Sequence, residues 1–151
     1  MVYRTTNHAP QADTGHLRGL LSFLLRRLAG PAPHSEAAAE RMGRAWGEEL
    51  AVDPADVGAG SGSAGAQSDE EPIDTLLRHT AQVGFEVTAD RDVGTISFFG
   101  CPYRSLDHEA LAAVCSMHLG MMRGHLAAQG SGARVLDLVP GEVCVATVAR
   151  E

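Results

Sequence analysis

Between residues 70 and 150 the apolar residues change period three times, and that alternation restricts the fold more than any other property of the chain. Ile73, Leu76, Leu77, Thr80 and Val83 recur at helical spacing after Ser68 and Glu71, which stand in capping-box register, and the stripe stops at Gly84. From Phe85 the period falls to two: Phe85, Val87 and Ala89 alternate with polar residues, the turn DRDVG follows, and Thr95 to Phe99 read as the returning strand. Helical spacing resumes from His108 to Gln129, with Leu111, Cys115, His118, Leu119, Met122 and Leu126 on one stripe closed by Gly130. RVLDLV, Pro140-Gly141 and EVCVATVA then form a second hairpin, its Pro-Gly suited to a turn with positive φ. The order α-β-β-α-β-β predicts an α+β fold, with an antiparallel four-stranded sheet and helices packed against it.

Upstream, MVYRTT at the start of the chain reads as a short strand, and Leu17, Leu20, Leu21, Leu24 and Leu28 mark an amphipathic helix ended by Ala29-Gly30-Pro31. Ser35 is a good N-cap for a further helix whose apolar side carries Ala38, Met42, Ala45, Trp46 and Leu50, while Gly43 and Gly47 permit close packing. Residues 53–69 are Gly, Ser and Ala with almost no large apolar side chain, so they read as a flexible loop. Three segments follow: 1–52, a strand remnant and two helices for linkage or dimerisation; 53–69, the loop; and 70–151, the α+β domain.

A formal net charge of -7 argues against the chain gripping a phosphate backbone by itself. The most apolar stretch, 17–28, is interrupted by Arg18, Arg26 and Arg27, so no membrane span is expected. Without a secretory pattern at the start, a cytoplasmic location with reduced thiols is the expectation. Three cysteines cannot all pair, whereas three thiolates and one further ligand complete a four-coordinate site.

Cys101 follows a strand in Gly100-Cys101-Pro102, where an irregular backbone leaves amides free to donate to sulfur. Cys115 lies in the next helix, Cys144 in the last strand, and His118 shares the Cys115 face one turn on. All four are candidate ligands. Set against this, cysteine is also an ordinary small core residue, and a histidine such as His118 is often simply hydrogen-bonded within a core. His8, His16, His34, His79, His108 and His125 read as solvated. The spacing C-x13-C-x28-C matches neither the paired CxxC of zinc ribbons nor the CxxCxxC run of ferredoxins, so it does not choose the metal. An enzyme is not expected: there are no paired carboxylates, no HExxH and no Ser-His-Asp order, and GAGSGSAG neither follows a strand nor opens a helix.

The words GCPYR at 100–104, AVCSMHLGMMRG at 113–124 and PGEVCVATV at 140–148, with GRAWG at 43–47 upstream, resemble the C-terminal domain of bacterial winged-helix regulators of the ArsR and DeoR groups. The likeness is greatest to the branch that includes the repressor of the iron-sulfur-assembly (suf) operon. The resemblance implies that Cys101, Cys115 and Cys144 occupy the family's cysteine positions, which in that branch ligate an iron-sulfur cluster that tunes DNA binding. Some of those repressors carry another cysteine near the positions of Gln129 and Gly130; this chain has none there, so His118 or an exogenous group would complete a 4Fe-4S cluster. The winged helix is not found before residue 13, and MVYRTT looks like the last strand of a wing. Specific DNA binding is therefore expected only through a winged-helix half absent from this chain, and a homodimer is expected from the two apolar helices. The competing expectations are a structural zinc site on the same residues, and a cofactor-free domain binding a small molecule or protein.

Overall fold

A computed structural model describes residues 34–51, 70–82 and 84–150, together with Leu21, Leu24 and Leu25. Among the described residues, three long helices, α1 (His34–Leu50), α2 (Glu70–Gln82) and α3 (His108–Ala128), accompany four strands, β1 (Glu86–Asp90), β2 (Thr95–Phe99), β3 (Ala133–Val139) and β4 (Cys144–Arg150). The strands form one antiparallel sheet in the order β1-β2-β4-β3, so the two hairpins meet through β2 and β4, and the chain is α+β as its periodicity predicts. The expected strand at 1–6 and loop at 53–69 lie outside the described residues. Among those described, no helix is long and apolar enough to cross a membrane.

Local chemistry explains where these elements stop. Thr80 donates its hydroxyl to the Leu76 carbonyl, and the Phe85 amide returns to the Thr80 carbonyl, closing α2. In the first hairpin the Asp90 carboxylate accepts from the amides of Asp92 and Val93. Gly94, at φ 75°, then lets the turn pack against β4, where its carbonyl accepts from the Val148 amide at 2.8 Å. The N-terminus of α3 is capped by Asp107, whose side chain accepts from the Ala110 amide at 3.0 Å. Gly141, expected in a positive-φ turn, is not in the left-handed region. Four residues, 140–143, connect β3 to β4, and a longer loop does not impose the two-residue turn's backbone demand.

The helix α3 is buried on two faces, which a single-stripe reading of 108–129 misses. One face carries Met121, Met122 and Leu126 onto the sheet and α2, in a core with Ile73, Leu76, Phe85, Ile96, Phe98, Val135 and Ala146. The other meets α1. A Cβ on Gly43 or Gly47 would overlap the carbonyl oxygens of Met117 or Met121, and one on Gly120 or Gly124 those of Glu40 or Arg44. Both helices advance in the same direction through this contact, so they run parallel with backbones in touch, a separation only glycine permits. Ala39 is fully buried there and Ala45 is exposed, which corrects the expected apolar side of α1 by part of a turn: the close crossing, not the width of the stripe, sets which alanine is covered.

A smaller satellite core joins Ala39 of α1 and Leu106, Ala110, Ala113 and Val114 to Leu25. Of the three described residues of the leucine segment, Leu25 is buried, Leu21 half-buried and Leu24 exposed. Arg123 ties the assembly together. Its guanidinium pairs with Glu40 of α1 at 2.6 Å and donates to the carbonyls of Val135 and Leu136 on edge strand β3, beside a bulge between Val135 and Asp137.

The backbone contact of α1 and α3 leaves no room for a methyl group. Gly43→Ala is expected to cost about 3 kcal/mol or more of unfolding free energy, measured by urea titration. A loss below about 0.5 kcal/mol would contradict this packing.

Candidate functional site

The cysteines come from three elements that the α+β packing brings to one end of the sheet. Cys144 is the first residue of β4 and stands opposite Phe98 of β2, so its side chain emerges on the helix-covered face. Cys101 lies two residues beyond β2, after Gly100 at φ 63°, which turns the chain back over that end. Cys115 and His118 occupy adjacent turns of α3. Cys101, Cys115, Cys144 and His118 all line one small cavity, part of it open to solvent. Phe85, Phe98, Val114, Met121, Met122 and Leu138 supply most of the remaining wall, with Thr80 at its edge.

The loop holding Cys101 is fastened to the loop holding Cys144. Arg104 donates to the Glu142 carbonyl at 3.0 Å, joining the turn after Cys101 to the turn before Cys144. Burial raises the Cys101 pKa and the Cys144 charge adds to the rise; the amides of Tyr103 and Arg104, which donate toward its sulfur, and the Arg104 guanidinium act in the opposite sense. Cys115 is pushed up to about 11, chiefly by burial and then by the neighbouring charges of Cys144 and Cys101. That mutual influence is the electrostatic signature of three sulfurs sharing one low-dielectric space. All three cysteines are free thiols with partial exposure. Cys144 directs its Sγ toward the Gly141 carbonyl at 3.9 Å.

His118 sits in an aromatic setting, edge-on to Phe85 at 5.1 Å and tilted against Tyr103 at 5.6 Å between ring centroids. Burial lowers its pKa to about 4, so at neutral pH the imidazole is uncharged and has a lone pair to offer. Chemically this is a soft donor set: three thiols and one neutral imidazole in an apolar wall. Among the described residues, however, no three His, Cys, Asp or Glu side chains form a group able to hold one metal ion. The sulfurs stand around a space, not at a point.

His79 and His125 depart from their expected solvated positions. His125 has no exposed surface, its ring meets that of His79 edge-on at 5.2 Å, and neither of its nitrogens has a hydrogen-bond partner among the described residues. The Nδ1 of His79 is likewise buried and unpartnered. His125 is seven residues from His118, two turns on along the same side of α3, a spacing that signals burial if the helix is read as covered beyond one stripe. His108 is exposed, as expected. His34 contributes no described side chain, and His8 and His16 lie outside the described residues. The arrangement of Phe85 and Tyr103 around His118 had no signal in the sequence beyond the inward phase of Phe85. Compared with known proteins, the chain matches no protein-family model and no curated protein sequence.

Burial, then the nearby His79 charge, lower the His125 pKa to about 4, against a weaker opposing influence from the Pro72 carbonyl. The folded state therefore resists protonating a group that titrates near 6.5 when unfolded, so stability is intact above pH 6.5 and declines as pH falls toward 4. Replacing the ring by an apolar side chain removes both the unpartnered nitrogens and this linkage. His125→Leu is expected to raise unfolding free energy at pH 5 by about 1–3 kcal/mol while changing it less at pH 8. An equal shift at both pH values in urea titrations would refute the assignment of acid sensitivity to His125.

Proposed function

We propose that this chain is the sensor domain of a bacterial transcriptional regulator, in which Cys101, Cys115 and Cys144 hold an iron-sulfur cluster and His118 is available as the fourth ligand. The observation that carries the reading is the placement of three sulfurs, distant in the chain, around one apolar cavity. A tetrahedral zinc site requires its ligands gathered at a single ion, about 2.3 Å from each sulfur, and no such group stands among the described residues. When bound, an iron-sulfur cluster supplies a redox-active, oxidant-sensitive centre.

The chain's own residues would act on that group in distinct ways. The amides of Tyr103 and Arg104 and the Arg104 charge favour the anionic form of the Cys101 sulfur. Cys115, protonated at neutral pH, must release its proton on ligation, which makes loading pH-dependent. His118 has no proton to give up before ligation, and Phe85 and Tyr103 restrict the ring's orientation. In this reading the domain works in the cytoplasm as a homodimer, has no enzymatic activity, and reaches DNA through a winged-helix half. The net charge of -7 is in keeping with a domain that leaves the phosphate backbone to another part of the regulator. The largely apolar wall favours, as a second reading, a cofactor-free pocket for a small apolar molecule.

Anaerobic reconstitution with iron and sulfide separates these readings. The wild-type chain is expected to turn brown, with a broad visible absorption and about four iron and four sulfide per chain, and the triple Cys→Ser variant to stay colourless while folded. Colourless, iron-free wild-type protein, or equal iron in the triple variant, would overturn the cluster reading.

A further inference from the structure

The cavity and the satellite core share one residue, Val114, and Tyr103 links them through the cavity's His118 and Phe85. Val114 lines the cavity on one side and belongs to the satellite core on the other, next to Leu106, Ala110 and Ala113. Tyr103 packs against both cores, and its ring lies against His118 and Phe85 at 5.6 and 6.3 Å. Leu25, 4% exposed, belongs to the same satellite core, and Leu21, partly buried, packs against it. A thin layer of side chains thus separates an occupant of the cavity from the leucine segment near the start of the chain.

The neighbouring helix does not share that freedom. Backbone contact through Gly43, Gly47, Gly120 and Gly124, reinforced by Arg123 and Glu40, holds α1 closely against α3. Displacement at the cavity wall is therefore taken up where packing is side chain on side chain, in the satellite core.

We propose that the state of the cavity controls how firmly the segment bearing Leu21 and Leu25 is held, with Val114 and Tyr103 as the relaying side chains and α1 fixed to α3 as a strut. With the cavity filled, Val114 and Tyr103 are pressed outward and close the satellite core around Leu25. With it empty they relax inward, and the grip on Leu25 loosens. The inference rests on reading the cavity as a binding site and not on the identity of the occupant.

Amide hydrogen exchange by mass spectrometry tests it in the full chain with two independent occupants: the cluster introduced by anaerobic reconstitution, and N-ethylmaleimide added to the cysteine thiols that line the cavity. Either occupant is expected to slow exchange in the peptide containing Leu21 and Leu25 by about threefold or more, leaving residues 40–47 unchanged. Val114→Ala should abolish that slowing. Tyr103→Ala, at a partly exposed loop position, provides the same test should the first variant fold poorly. Unchanged or faster exchange in that peptide with the cavity demonstrably filled would overturn the proposal, as would an equal change in residues 40–47. Slowing by maleimide in a chain that loads no cluster would leave the relay standing and remove the cluster reading.

Discussion

The two-sided burial of α3 is the constraint on which the remaining structure depends. On one side its glycines admit the backbone of α1, and on the other Met121, Met122 and Leu126 seat it on the sheet. With both faces engaged, the helix has little freedom to roll or slide, because interiors at crystal-like density transmit small displacements to their neighbours. That fixes Cys115 and His118 over the end of the sheet where β2 leaves and β4 enters. Cys101 and Cys144 belong to those two strand ends, and the bond from Arg104 to the Glu142 carbonyl ties their loops together. Convergence of the sulfurs is thus a consequence of core packing.

The chemistry of the cavity follows from its apolar wall. Desolvation keeps Cys115 protonated and His118 neutral at physiological pH, so without a ligand the site carries little charge where charge is expensive. A cationic metal centre would reverse the preference of Cys115, since it favours thiolate over thiol, and would leave that of His118 unchanged, since it too favours the neutral imidazole. The same desolvation, only weakly opposed by the Pro72 carbonyl, makes His125 a weak point of the fold. Unlike His118, it does not line the cavity of the three cysteines, and its nitrogens have no geometric hydrogen-bond partner among the described residues.

The fold class was legible because each change of period is local: five alternating residues in β1, a helical stripe in α3, and a glycine shortly after α2 and after α3. Gly43 and Gly47 signalled close packing, but their partners Gly120 and Gly124 lie 77 positions further along in each case, and pairing at that distance has no local signature. That unseen second face of α3 explains the misread position of Ala45, whereas His125 is buried against His79 of α2. Cys101, Cys115, Cys144 and His118 were identifiable as candidates from residue type and setting, while their meeting at one cavity is tertiary information. The hydrogen bond of Arg104 and the aromatic surround of His118 depend on loop geometry that composition does not encode.

The account stands on the proximity of three sulfurs that the chain separates by 13 and 28 residues. Its most direct test uses the three single Cys→Ser variants, each retaining one pair of cysteines, treated with a short bifunctional thiol reagent such as dibromobimane under reducing-agent-free, anaerobic conditions. The structure requires all three pairs to be bridged within one molecule, detected as intramolecular adducts by mass spectrometry. A pair that reacts only as separate single-ended adducts, or only between molecules, would show that its sulfurs do not share the cavity and would contradict the account.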